Sequence, residues 1–141
     1  ALVGRRAVND ALNDWSIFPT SPISKEPLGP VYRSNDSMWG DVINWVVYAT
    51  IIADEYGVTS ANVDSVDTDA FPELGRLFGA NDGELQTVMG LSADAFYNVI
   101  KQVGNYDEIY SRNLNPVGLF REGGANDRWT NGGLIYAPPA R

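Results

Sequence analysis

The residues most suited to chemistry in this chain are its carboxylates. Asp54-Glu55 and Asp107-Glu108 are adjacent pairs, and Asp64, Asp67, Asp69 and Glu73 form a looser set between them. Glycoside hydrolysis needs two carboxyl groups facing each other across the bond to be cut. Neighbours on a helix point in different directions, so neither pair meets that need by itself. Asp54-Glu55 falls at the end of an expected helix and Asp107-Glu108 in the first turn of another, where acids favour the dipole. Surface roles are expected for both. The looser set lacks the DxDxDG order that places calcium ligands, so it reads as a solvated connector with helix-capping aspartates.

Two absences exclude more. Without His there is no Ser-His-Asp triad, no imidazole base and no His-ligated metal; without Cys there is no thiolate and no disulfide. The glycines form neither GxxxxGK[ST] nor GxGxxG, so no phosphate cradle is expected. No enzyme activity, metal or cofactor is expected on these grounds. With 141 residues and a net charge of −8, the chain suits one domain and repels nucleic acid and anionic membranes. Asn35-Asp36-Ser37 matches a glycosylation sequon, but its place at a helix start favours capping. Most of Trp15, Trp39, Trp45 and Trp129 should be core.

Those side chains need elements to hold them. Residues 1–3 and 15–18 read as short strands around a helical turn at 6–12. Pro19, Pro22, Pro27 and Pro30 then impose an extended crossover, ending in a short strand at 28–32. The clearest element is a helix over 37–56, capped by Asp36 and Ser37 and stopped by Gly57. Trp39, Val42, Ile43, Val46 and Ala53 make one apolar row, and Met38, Trp45 and Ile52 a second. A helix apolar over most of its circumference needs neighbours on several sides, more than this chain is expected to supply. An acidic loop over 58–71 precedes helices at 72–78, 84–89, 93–103 (behind Ser92 as N-cap) and 106–114. A loop-rich tail follows from 115. The longest apolar stretch, 42–53, is too short to cross a bilayer. The opening Ala1-Leu2-Val3-Gly4-Arg5-Arg6 lacks the apolar core of a secretion signal and an initiator Met, and reads as the start of a processed or truncated product.

One run carries a family likeness: Pro22-Ile23-Ser24-Lys25-Glu26-Pro27-Leu28-Gly29-Pro30-Val31-Tyr32-Arg33, then Asp36, Trp39, the Trp45 helix and Gly57-Val58-Thr59-Ser60-Ala61-Asn62-Val63-Asp64. Val99-Ile100-Lys101-Gln102-Val103-Gly104-Asn105-Tyr106 and the closing Trp129-Thr130-Asn131-Gly132-Gly133-Leu134-Ile135-Tyr136-Ala137-Pro138-Pro139-Ala140-Arg141 continue it. The chain resembles the C-terminal portion of periplasmic substrate-binding proteins of general (polar) L-amino-acid ABC transporters.

The resemblance implies an α+β portion, mostly helical with a few N-terminal strands. It would be part of a two-lobed α/β type II periplasmic binding protein fold with a helical C-terminal extension. Residues 1–33 would end the second lobe and return through the hinge, 34–57 would be a first-lobe helix, and 58–141 the extension and tail. The partners implied are an L-amino acid, held through the complete protein, and an ABC permease in the inner membrane; the place is the periplasm. Most contacts to the ligand would come from segments before Ala1. Lys25 and Glu26, on the hinge strand near the cleft mouth, are the only substrate-binding candidates, and an interlobe salt bridge is an equal reading of them. The incomplete lobe is also expected to self-associate. The alternative is a stand-alone helical interaction or scaffold domain without a small-molecule ligand, in which the Trp39/Trp45 helix is covered within the chain or by a second copy. A carboxylate hydrolase comes third.

Overall fold

The computed structural model describes residues 18, 19, 23, 24, 27–81 and 84–141. The expected strand at 1–3, most of that at 15–18, the helical turn at 6–12, and both Lys25 and Glu26 lie outside the described residues. Among the described residues five helices follow in order: α1 (Ser37–Glu55), α2 (Pro72–Leu77), α3 (Leu85–Val88), α4 (Ala95–Val103) and α5 (Tyr106–Leu114). Short 3-10 turns occupy Val63–Ser65, Asn115–Val117 and Trp129–Asn131. Among the described residues there is no strand; the only ladder pairing is an isolated parallel bridge between Arg128 and Ile135. The short strand expected at 28–32 is therefore corrected. Its residues are exposed, and without a neighbouring strand their N–H and C=O groups have no ladder to join.

α1 forms where its caps place it. The Asp36 carboxylate accepts from the Trp39 N–H at 3.1 Å, satisfying one of the free donors of the first turn. At the other end Gly57 takes φ 67, and the Gly57 and Val58 N–H groups donate back to Asp54 and Ala53. That reversal, open to glycine without a Cβ penalty, ends the helix in a Schellman motif. Pro72 opens α2 at the position where a missing N–H costs nothing. α4 starts two residues later than expected, with Asp94 rather than Ser92 at its N-cap.

The core sits between the second half of α1 and everything after it. α1 packs on α4 and α5. Ala49, Ile52 and Ala53 meet Leu74, Leu77, Phe96 and Ile100, and Ala140 near the chain end closes the same cluster. Fully burying each large side chain in that group contributes about 1.5–3 kcal/mol. No helix among the described residues is long and apolar enough to cross a membrane.

Candidate functional site

Three features gather the charged and aromatic groups. The first is a charge cluster at the end of α1. Asp54 is fully buried, which corrects the surface role expected for it. Arg121 Nη1 lies 2.6 Å from one carboxylate oxygen, and Arg128 reaches the other with Nη2 at 2.8 Å and Nε at 3.1 Å. Arg121 also reaches Asp107 at 3.2 Å, donates through Nε to the Asn126 carbonyl at 2.6 Å and lies over the Tyr106 ring. Burial works against the Arg121 charge, and Asp54 and Asp107 more than restore it. A buried charge persists only when paired and hydrogen-bonded, and here one aspartate on α1 holds two arginines of the tail.

The second feature is an open groove of about 400 Å³ lined by Glu55, Glu73, Trp129, Tyr136, Ala137 and Pro139. Burial pushes the Glu55 carboxyl above its usual range; the Trp129 indole N–H at 3.0 Å opposes this, and the nearby Glu73 and Asp54 add to it. A raised carboxyl beside a second one resembles a general-acid setting. The bonds of Glu73 show a different use. One of its oxygens accepts from the Tyr56 hydroxyl at 2.8 Å and the other from the Ala140 N–H at 2.7 Å, while Arg76 Nε donates to the Ala140 carbonyl. The groove carboxylates clip the tail to α1 and α2.

Three further acids are likewise engaged within the chain. Glu108 accepts from the Ser60 N–H and hydroxyl and from the Asn105 N–H, while Asn105 caps α5 by accepting from the Glu108 N–H. This is a capping box tied to a loop 48 positions back in sequence. Burial pushes Glu108 up, but those bonds and Arg112 outweigh it and hold the carboxyl below its ordinary value. Asp64 is held by Lys101 and by the Tyr97 hydroxyl, and Asp67 accepts from the Asp69 and Ala70 N–H groups. Neither provides the α-helix cap expected of it: Asp64 ties the loop to α4, and Asp67 closes a turn before α2, whose N-cap is Phe71.

The third feature is apolar and lies at the opposite end of α1. Met38 and Trp39 are 64% and 53% exposed, and in the segment before them Leu28 and Val31 are 87% and 91% exposed. Tyr32 lays its ring against Gly40, where an added Cβ would meet it, and so brings this segment alongside the first turns of the helix. Trp45 and Val46 are half-buried against the core; beyond them α1 is enclosed.

Among known proteins, the chain is 46% identical over 132 residues to the general L-amino acid-binding periplasmic protein AapJ of Rhizobium johnstonii, covering 91% of this chain and 38% of that one. It is 45% identical over 144 residues to the glutamate/glutamine/aspartate/asparagine-binding protein BztA of Rhodobacter capsulatus, covering 99% and 41%. The chain is homologous to the C-terminal part of amino-acid-binding periplasmic proteins of ABC transporters. A putative amino-acid ABC transporter-binding protein, YhdW of Escherichia coli, is 42% identical over 91% of this chain. A solved ABC transporter periplasmic binding protein from Brucella ovis, with glutathione bound, matches with a TM-score of 0.72 and 41% identity, over 77% of this chain and 35% of that one. No family model matches. The chain thus spans about two-fifths of the length of the periplasmic relatives it matches. The mostly helical character agrees with a periplasmic-binding-protein origin.

Sequence reasoning overlooked the Asn105/Glu108 box, although Asn-x-x-Glu before an apolar position is a readable signature. It also missed the Asp54 cluster, for which no local signal exists.

Proposed function

We propose that this chain is the C-terminal portion of the solute-binding component of an ABC importer for L-amino acids, acting in the periplasm and docking on an inner-membrane permease. What carries the reading is the 46% identity to an amino-acid-binding relative about two and a half times as long, with Met38 and Trp39 at the start of α1 left exposed. Residues 34–57 serve as a first-lobe helix, residues 1–33 as the end of the second lobe and the returning hinge, and 58–141 as the outer extension. The protein performs no catalytic step.

An amino acid presents an ammonium and a carboxylate, and each needs a charged partner. The buried charges described here, Asp54 and Arg121, hold each other. Buried Asp127 is likewise held within the chain, by the Gly123 and Arg128 N–H groups. This engagement of the described buried charges supports placing most of the gripping groups on polypeptide corresponding to the rest of the relatives. The glutathione of the Brucella ovis protein carries a free α-ammonium and α-carboxylate on its γ-glutamyl residue, so an α-amino-acid head is the ligand chemistry proposed. Lys25 and Glu26 stay candidates at the cleft mouth.

Calorimetry with a panel of L-amino acids tests the reading. The chain alone is expected to give no binding heat, and a fusion to the remaining part of the Rhizobium johnstonii relative to bind. Micromolar binding by the chain alone, or none by the fusion, contradicts it.

A further inference from the structure

The groove between the end of α1 and the tail is lined by two carboxylates, Glu55 and Glu73. Among the described residues the ion pairs engage Asp54, Asp64 and Asp107, but neither groove acid. The side-chain bonds of Glu55 and Glu73 come from neutral donors, the Trp129 indole, the Tyr56 hydroxyl and the Ala140 N–H. An ionised carboxylate accepts at about four lone-pair sites, so both keep unused capacity. The arginines of the adjoining segments are spent elsewhere, Arg128 on Asp54 and Arg76 on the Ala140 carbonyl. Burial and the charges of Glu73 and Asp54 push the Glu55 carboxyl up, and hydrogen bonds from Trp129 and the Ala137 backbone oppose them, not a cation. Glu55 is also the last residue of α1, where the helix dipole favours positive charge, yet the last turn carries no basic residue.

The other walls decide which cation fits. Trp129 and Tyr136 line the same groove and stay 59% and 67% exposed, so packing within the chain does not use up their rings. A metal ion gains little from ring faces, and among the described residues no group of three or more candidate metal ligands occurs. An ammonium is a compact, strongly hydrated point charge. A guanidinium is planar and weakly hydrated, matches carboxylates with its fork of N–H groups and stacks on aromatic faces. The groove volume of about 400 Å³ suits a ligand of that size with its attached chain. We propose that this groove is a guanidinium-binding site, in which Glu55 and Glu73 pair with the cation and Trp129 and Tyr136 stack against its plane. The inference goes beyond the receptor reading and does not rest on it, because all four residues belong to this chain.

The test is an NMR titration of the whole chain that follows the Trp129 indole N–H, assigned by its loss in Trp129→Phe. The probes are agmatine and N-acetyl-L-arginine amide, with N-acetyl-L-citrulline amide as the neutral isostere. Both guanidinium probes are expected to shift the indole signal saturably in the millimolar range, and the citrulline amide to leave it in place. Glu55→Gln and Tyr136→Ala should each weaken binding about threefold or more. Tyr136→Ala removes an exposed side chain and should keep the thermal midpoint within about 1 °C, which separates lost binding from lost folding. Tighter binding of the capped arginine supports the site as one for an arginine side chain in a peptide, and tighter binding of agmatine supports it as one for a free guanidinium compound. No saturable shift, an equal shift with the citrulline amide, or undiminished binding in both variants overturns the inference. Neither guanidinium probe carries an α-ammonium together with an α-carboxylate, so such a failure leaves the receptor reading standing.

Discussion

In the first turn of α1, Met38 and Trp39 stand in solvent; in its last two turns, residues 49–54 are all buried. Both halves are built from apolar rows at helical spacing, and both end in a well-formed cap. They differ in what lies across from them. The later half meets α4, α5, Leu74, Leu77 and the tail, and ends in Asp54, gripped by two arginines. In the earlier half Gly40 and Val42 are buried, while Met38 and Trp39 lie largely open beside an extended segment that is itself exposed. The contrast teaches that propensity and capping form the helix along its whole length, while burial reports which neighbours are present.

The largest expected effect breaks the enclosed half. Asp54→Ala leaves Arg121 buried with its main partner gone, a loss of about 3–5 kcal/mol in urea unfolding. A change below about 1 kcal/mol would mean the cluster does not hold the tail.

Glu108→Gln probes the same half more gently. Replacing the charged acceptor of the Ser60 and Asn105 bonds should cost on the order of 1 kcal/mol near neutral pH, since the site is partly open to water. The sign with pH is fixed by its lowered native value: its stabilisation is complete above the ordinary 4.5 and is lost as pH falls through that lower value. The variant should therefore lose less stability between pH 5 and 3 than the parent, measured by urea midpoints. Glu55 runs the other way, because its raised native value makes the folded state relatively less stable as pH rises. The smallest effect belongs to the uncovered half, where Trp39→Ser alone should shift the stability of the isolated chain by no more than about 0.5 kcal/mol.

Much of this was legible in the residues themselves. Asp36, Gly57 and Pro72 mark element ends through local chemistry, and the structure uses all three as caps or starts. The nearly all-round apolarity of α1 led to the expectation of a helix short of neighbours. The chain in fact buries Val42, Ile52 and Ala53 and half-buries Trp45 and Val46, and leaves only Met38 and Trp39 of the two rows exposed. What was hidden depends on distant pairing. Asp54 reads as a surface acid at a helix end until Arg128, 74 positions later, returns to it. Val31 and Tyr32 are strand-forming types beside Gly29 and Pro30, which are not, but a ladder needs a second strand, and none stands beside them among the described residues. Glu55 and Glu73 line one groove because Tyr56 at the end of α1 bonds Glu73 and the tail folds over both.

Hydrogen exchange along α1, in the chain alone and in its fusion to the remainder of the relative, tests most directly whether the helix is half of an interface. In the chain alone, the amides donating to residues 37–44 should exchange at least tenfold faster than those donating to residues 49–53. The fusion should slow the first group and leave the second unchanged. Uniform protection along the whole helix in the isolated chain would contradict the account.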